Sequence, residues 1–379
     1  MIQIQFLDKN NIVGALVPAF SAKPERIIFL YDTRAVSERA MKSMEEAIKY
    51  RLSKTAVQFV RTNMLRMEDI KAELVKIVKT FQSKEVQIDI TGGTEIMTAC
   101  GLMVAQEYKL TPTYVDFYSE YLFNVLTMEK LAPIQQVKLE DYLRAIGGRH
   151  MSSSEYTPEE KDYDRILSMA KIIFANEKKW DKFFAHMSKG ASAAGVREFS
   201  MEEKRYDEDC MFIMDAFLDK GFAKKIGKDR YRFASDADKY YMTFSGIWLE
   251  LYIYILAKKC YDDVYTGVEI DWNKRDICTS RDNEIDVVIM KNSQPIFISC
   301  KMRPVTKDTI FEIYSMAKRL GGSYAKCLVA TTFDVRSGKD ESTSIYMRME
   351  KMKVGLIETK DFFKQNPSDV FAKALRMTE

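Results

Sequence analysis

Residues 283–302 read NEIDVVIMKNSQPIFISCKM. Two apolar, β-forming runs flank KNSQ at 291–294, the pattern of a tight hairpin. Four polar side chains interrupt the runs: Glu284, Asp286, Ser299 and Lys301. With the turn centred between Asn292 and Ser293, Asp286 faces Ser299 and Glu284 faces Lys301. Side chains alternate along a strand, so these four groups share one face. Ile285, Val287 and Ile289 take the other face, with Ile296, Ile298 and Cys300. A slip of one residue would scatter the cluster. The patch has two readings. One is a cross-strand Glu284–Lys301 ion pair on an exposed sheet. The other is a carboxylate that holds a hard divalent cation, beside a lysine that stabilises charge building on an attacked phosphate.

The surroundings of the hairpin read as an α/β unit beginning near Thr243. A helix, GIWLELYIYILAKK, carries Glu250. Strands are expected near 264–270 and 284–290, then PIFISCK, a helix over 309–320 closed by Gly321-Gly322, the strand KCLVATT, and a last strand near 353–358. The window 301–326 sets Lys301, Arg303, Lys307, Lys318, Arg319 and Lys326 against Asp308 and Glu312. That local excess of positive charge suits a phosphate backbone without base readout. Phe311, Tyr314 and Tyr324 lie within it and can stack unpaired bases.

The first 130 residues interleave strand and helix signals: IQIQFL, RIIFLY, AVQFV and VQIDI as strands, with helices at about 11–20, 37–51, 67–81 and 95–108. TYVDFY and YLFNVL follow. Such alternation argues for a parallel, doubly wound sheet, in which ligands bind beyond the carboxyl ends of the strands. TGGT at 91–94 sits between the fourth strand and its helix. Adjacent glycines let backbone amides approach an anion, and a helix N-terminus favours negative charge. A tight strand–helix turn explains the same residues without a ligand. The motif lacks both the lysine of a P-loop and the G-x-G-x-x-G spacing of dinucleotide folds.

Residues 132–160 break the pattern with Pro133, Gly147, Gly148 and Ser152–Ser154, leaving one short helix, LEDYLRAI. Helices and a short ribbon, GFAKKIGKDRYRF, are expected over 158–232, compatible with a winged-helix-like insert. The expected division is 1–135, 136–240 and 241–379.

Composition narrows the chemistry. Hydrophobic residues make up 46% and charged residues 30%, with a net charge of +3, so a polyanion must be met by a local patch. No apolar run nears the ~18 residues of a spanning helix, and MIQIQFLDKNN shows no secretory leader, so no membrane partner is expected. Six scattered cysteines without a C-x-x-C pair favour free thiols in a reducing cytoplasm. With His150 and His186 the only histidines, a metal would need oxygen ligands, which points to Mg2+ or Mn2+.

An acid on one strand, x-x-Lys ending the next, and a preceding helix with a glutamate resemble the PD-(D/E)XK nucleases. The resemblance assigns Asp286 and Lys301 to the catalytic pair and Glu250 to the helix acid. Ser299 stands where that family carries Glu or Asp. Glu312, in the first turn of TIFEIYSMAKRL, is the replacement ligand it suggests, with Glu284 the rival; an acid complementing a helix N-terminus is the plainer reading of Glu312. The N-terminal unit with TGGT resembles the CRISPR-associated Rossmann fold, CARF. Together the two units resemble the type III CRISPR ancillary nucleases activated by cyclic oligoadenylates, a likeness extended by KLEDYLRAIGG, SGIWLELYIY and AKRLGG.

That resemblance implies a homodimeric sensor holding cyclic tetra-adenylate, and cleavage of DNA or single-stranded RNA. It places the ligand against Thr91, Gly92, Gly93 and Thr94, with Asp8, Asn10, Asn11, Thr33 and Arg34 at the same sheet edge. Two other readings stand beside it. RAIGGRH (144–150) fits the short R-x(4–6)-H pattern of HEPN ribonucleases, although its two glycines oppose a helix. Ser299 also fits a ligand-gated regulator without catalysis, binding DNA through the winged-helix-like insert.

Overall fold

The computed structural model describes residues 1–8, 10–81, 84–150, 156–190, 196–201, 207–272, 284–321, 324–337 and 341–378. Ser152–Ser154, Cys278, Asn283 and Gly322 lie outside the described residues.

The first sheet is built from β1 (Ile2–Phe6), β2 (Arg26–Tyr31), β3 (Ala56–Arg61), β4 (Val86–Asp89), β5 (Thr111–Asp116), β6 (Tyr121–Asn124) and β7 (Glu129–Pro133). Between the first five strands run α1 (Ile12–Ala22), α2 (Glu38–Arg51), α3 (Met67–Thr80) and α4 (Glu95–Glu107). The spatial order is β3-β2-β1-β4-β5-β6-β7. The expected parallel sheet holds for β1 to β5. The segment YLFNVL instead turns back as antiparallel β6, and β7 follows the same way. Residues 117–120 are too few for a helical crossover, so a hairpin is the only connection available. In α3, Ile70, Leu74, Ile77 and Val78 form the buried stripe at helical spacing. Strand order reverses between β1 and β4, and the loops after these two strands flank that switch point.

After β7 come α5 (Leu139–Ala145) and β8 (Arg149–His150). Residues 149–150 lie in the stretch expected to be connector, yet they pair as an edge of the C-terminal sheet. The middle of the chain comprises α6 (Tyr163–Ala175), α7 (Glu177–Gly190), β9 (Glu198–Ser200), α8 (Glu208–Asp219), β10 (Ala223–Gly227), β11 (Arg230–Phe233) and α9 (Asp236–Thr243). Its strands make a small antiparallel sheet ordered β10-β11-β9, a winged-helix-like arrangement. Trp180, Phe183, Phe217 and Phe222 form its aromatic core, and Trp180, Phe217 and Phe222 meet Trp248 of the next unit edge-on or tilted.

The C-terminal unit contains α10 (Ile247–Lys258), β12 (Asp263–Asp271), β13 (Glu284–Lys291), β14 (Gln294–Lys301), α11 (Lys307–Gly321), β15 (Lys326–Thr331), α12 (Glu341–Lys351), β16 (Gly355–Glu358) and α13 (Pro367–Arg376). Its sheet runs β16-β15-β14-β13-β12-β8, antiparallel through β12–β14 and parallel from β14 to β16. The hairpin has the expected register, Val287 opposite Ile298. Asn292 and Ser293 both take positive φ, 50° and 65°, the primed two-residue turn that suits strand twist. Helices α10 and α11 cover opposite faces: α10 packs with Val287, Ile289, Ile296 and Ile298, whereas α11 packs with Val288, Phe297 and Val329. Ile285 departs from the expected alternation. It joins the α11 side, at the strand's start beyond the last ladder pair with β14.

The sensor-like sheet and the C-terminal sheet share one apolar core. Phe20 of α1, Met44 of α2 and Leu143 of α5 bury with Phe297, Ile313 and Leu320. Polar contacts fasten the same junction. Ser293 Oγ accepts from Val137 N (2.9 Å) and donates to Gln136 Oε1 (2.9 Å). Tyr142 Oη donates to the Leu320 carbonyl at 2.7 Å. No helix among the described residues is long and apolar enough to cross a membrane.

Candidate active site and ligand-facing edge

The β13–β14 ladder ends at Val287–Ile298, one step before Asp286. There the Asp286 side chain takes over from the backbone. Its Oδ2 accepts from Cys300 N at 2.6 Å and from Ser299 Oγ at 3.4 Å. Lys301 Nζ lies 3.8 Å from the same oxygen, with both side chains about one-fifth exposed (22% and 19%). Splayed strands thus open a notch holding an acid and a lysine, instead of the exposed Glu284–Lys301 sheet pair that spacing also allowed. Ser299 steadies the aspartate and stands where a second acid was expected.

Glu284, Asp286, Ser299, Lys301 and Glu312 line one cleft of about 360 Å³. Glu312 does not sit at the helix N-terminus. Helix α11 begins at Lys307, which puts Glu312 in its second turn, and Asp308 is the acid of the first. Helix-dipole capping therefore does not account for Glu312, since that effect fades within one turn. Glu250 reaches the cluster from α10. Burial raises its carboxyl well above the usual range, and the charges of Asp286 and Glu284 push the same way against Lys301. Burial raises Asp286 too, opposed first by Lys301 and then by the Cys300 and Ser299 hydrogen bonds. Among the described residues the cleft sets Glu284, Asp286 and Glu312 against Lys301 and Arg319, with Glu250 also feeling Asp286 and Glu284.

That imbalance is the test of whether a metal fits. Among the described residues, no three His, Cys, Asp or Glu side chains group closely enough to hold an ion on their own. Among the described residues, then, there is no fully protein-made cage. Asp286 and Glu312, facing one open cleft, fit a hard ion that keeps several waters and takes one or two carboxylates, as Mg2+ does.

At the sensor edge, two loops are tied together. Asn11 caps α1, accepting from Gly14 N at 2.8 Å, and donates to the Thr91 carbonyl at 3.4 Å. Thr91 N donates to Asp89 Oδ1 (3.0 Å), and its Oγ1 accepts from Val115 N (2.9 Å). Both glycines are required by space. A Cβ on Gly92 would meet the Phe6 carbonyl at 2.8 Å, and Gly93 has φ +89° with Phe6 and Met97 equally close. Asp8 Oδ1 accepts from Asn10 N, while Asn10 and Thr33 are exposed at the same edge. Arg34 is engaged within the chain, donating to Asp32 and to Asn63 Oδ1 at 2.7 Å.

Sequence reasoning missed Asp89, whose buried carboxyl, pushed up to about 7 by desolvation, supports the TGGT loop through Thr91 and Thr113. Its signal was the acid immediately before ITGGT. Arg319, read from sequence only as part of the basic patch, lines the same cleft as Asp286 and Glu312. The i, i+7 spacing from Glu312 was the available clue.

The HEPN pattern is not assembled. Arg144 ends in α5, Gly147 takes φ +90°, and His150 lies on β8 with its ring against Tyr265. The two residues share no helix face.

The description "Card1 CARF domain" matches residues 10–142, and "Card1-like, endonuclease domain" matches residues 238–362. No curated protein matches the chain. The crystal structure of protein VC1899 from Vibrio cholerae superposes with a TM-score of 0.75 at 16% identity, covering 100% of this chain and 98% of that one. Can2 from Sulfobacillus thermosulfidooxidans, in complex with cyclic tetra-adenylate, superposes at 0.67 and 18% identity, covering 100% and 99%. The fold is shared along the whole length of both structures. The chain is a Card1-type CARF domain followed, after a winged-helix-like insert, by a Card1-like endonuclease domain.

Proposed function

We propose that the protein is a metal-dependent nuclease of type III CRISPR defence, switched on by a cyclic oligoadenylate at the CARF edge. One observation carries the catalytic part: Asp286, Lys301 and Glu312 face one cleft at the open end of the hairpin. Asp286 and Glu312 would hold Mg2+ or Mn2+, with Glu250 behind them. When bound, the ion polarises the phosphate and lowers the pKa of a coordinated water. Lys301 stabilises charge on the attacked phosphate, and the Cys300 amide holds the Asp286 carboxylate in place. The basic surface on 301–326 suits a nucleic-acid backbone read without base specificity. DNA, nicked or single-stranded, is the proposed substrate, with single-stranded RNA also within its chemistry.

The sensor part rests on the tie between Asn11 and Thr91 that joins the first-strand loop to Thr91–Thr94, and on the cyclic tetra-adenylate held by Can2. A homodimer is the proposed assembly. Met103 of α4 and Tyr118, Leu126 and Met128 around β5–β7 expose apolar surface beside a cavity of about 710 Å³ that Thr91, Gly93 and Thr94 help to line. Ser299 favours one other reading, a ligand-gated regulator without catalysis.

Incubation of the chain with Mn2+, with and without cyclic tetra-adenylate, on single-stranded DNA, supercoiled plasmid and single-stranded RNA separates the two. Cleavage that needs both additions is the expected result. Tight ligand binding without cleavage of any substrate would leave the regulator. Cleavage at full rate without ligand would refute gating.

A further inference from the structure

Helix α11 divides two clefts. Glu312, Ser315, Met316 and Arg319 line the catalytic one. Phe311, Tyr314 and Lys318, at spacings of three and four, line a larger one of about 1260 Å³ on the adjoining helix face. Helix α12 forms the opposite wall through Ser344, Met347, Arg348 and Lys351, again at helical spacing. Five cationic side chains border this second cleft: Lys318, Lys326, Arg348, Lys351 and Lys353. None of its described lining residues is acidic. The aromatic rings are already paired with cations. Lys318 Nζ stands 5.6 Å over Tyr314, and Arg348 Cζ stands 5.7 Å over Phe311. Arg348 Nε is buried with no hydrogen-bond partner among the described residues. An unpaired guanidinium nitrogen in a basic, acid-free cleft is an unmet demand for an anion.

We infer that the α11–α12 cleft is a binding track for single-stranded polynucleotide, distinct from the cutting site and continuous with it over α11. This rests on the proposed nuclease reading and extends it. Cations meet the phosphates, and Phe311, Tyr314 and Tyr324 supply stacking faces for unpaired bases, the combination that binds single strands without sequence preference. A helix is about 10–12 Å across, so a strand leaving the catalytic cleft crosses only one helix to reach the track. Short substrates would occupy the cutting site alone, while longer ones would gain the track as well. The far end of the cleft abuts the sensor, where Tyr324 is near enough to Tyr114 and Asp8 for their charges to act on its hydroxyl. A cyclic oligoadenylate has the same phosphates and bases, so the test must tell activator from substrate.

The test uses the full chain carrying Lys301→Ala, to prevent cutting, with and without Lys318→Glu plus Lys351→Glu. Both lysines are exposed, which favours unchanged folding. Fluorescein-labelled oligothymidylates of about 6 and 20 nucleotides and labelled cyclic tetra-adenylate are the probes. The expected result is roughly tenfold or more weaker binding of the long oligomer. Its salt dependence should become shallower by about 0.7 per lost phosphate contact, with binding of the short oligomer and the cyclic ligand unchanged. Phe311→Ala, which removes a stacking face without changing charge, should weaken the long oligomer alone. Unchanged affinity for the long oligomer overturns the track. Selective loss of cyclic tetra-adenylate binding overturns it in favour of an activator site. Failure of the unsubstituted chain to cleave any strand sinks the nuclease reading instead, and the track with it.

Discussion

Asp286 and Lys301 differ from a surface ion pair in their surroundings. Both are largely shielded, and the aspartate is held by a backbone amide as well as by the lysine. On the proposed mechanism, substituting either removes charge that would act on the reacting phosphate, not a screened surface contact worth a fraction of a kcal/mol. Lys301→Ala and Asp286→Ala should each lower single-turnover cleavage by at least about 100-fold, with cyclic tetra-adenylate affinity unchanged in a titration. Glu312→Ala should be comparably severe, and Ser299→Ala mild, since its hydrogen bond is long at 3.4 Å. The acidic cluster also gives a pH signature. Burial raises both Glu250 and Asp286, and for Glu250 the charges of Asp286 and Glu284 add to it, so each keeps its proton to higher pH folded than unfolded. Without metal, the stability they contribute is present below the ordinary carboxylate range and falls away as pH rises through the raised values. A cation favours the ionised forms, so its stabilisation grows across that same window. Thermal melts with and without Mg2+ should show little shift at about pH 5 and a clear one at about pH 8. Glu250→Gln should flatten the metal-free slope.

Among the elements, the hairpin and the TGGT turn show how local chemistry specifies geometry. The hairpin register follows from two residues that accept positive φ and from apolar alternation, and both are written in KNSQ and its flanks. Alternation could not show that the ladder stops at Val287, because that depends on where the Asp286 carboxylate finds a donor. The TGGT turn was legible as a tight strand–helix joint. Its dependence on Phe6 was not, because Phe6 is far off in sequence and meets the glycines only once β1 and β4 pair. Gly93→Ala places a Cβ in a left-handed backbone against Phe6 and Met97, a strain on the order of 1–3 kcal/mol. It should lower the melting temperature and weaken cyclic tetra-adenylate binding while leaving the nuclease cleft intact. Calorimetry of the variant checks both effects. YLFNVL was expected to join the strand series and does so antiparallel, since a four-residue turn leaves no other path.

Across the whole molecule, sensor and nuclease are not beads on a linker. They share a core, and the linker 136–145 is hydrogen-bonded both to the hairpin turn through Ser293 and to the end of α11 through Tyr142. Helix α11 carries Glu312 and Arg319, so on the proposed function a shift of the sensor helices would act on the helix that borders the proposed cutting site. Tyr142→Phe removes a single buried hydrogen bond, on the order of 1 kcal/mol, with little change in packing. It should reduce the activation produced by saturating cyclic tetra-adenylate several-fold without abolishing ligand affinity. Dose–response curves of cleavage against ligand would show a lowered plateau; an unchanged plateau would remove Tyr142 from the coupling. The sequence alone determined what depends on neighbours along the chain: the alternation of strands and helices, the hairpin register, and the acid and lysine set at its open end. Only the tertiary structure brought Glu312 to the cleft beside Ser299, set Asp89 under the TGGT loop, and placed His150 on an edge strand. Those outcomes depend on residues far apart in the chain meeting through packing, and periodicity carries no record of that encounter.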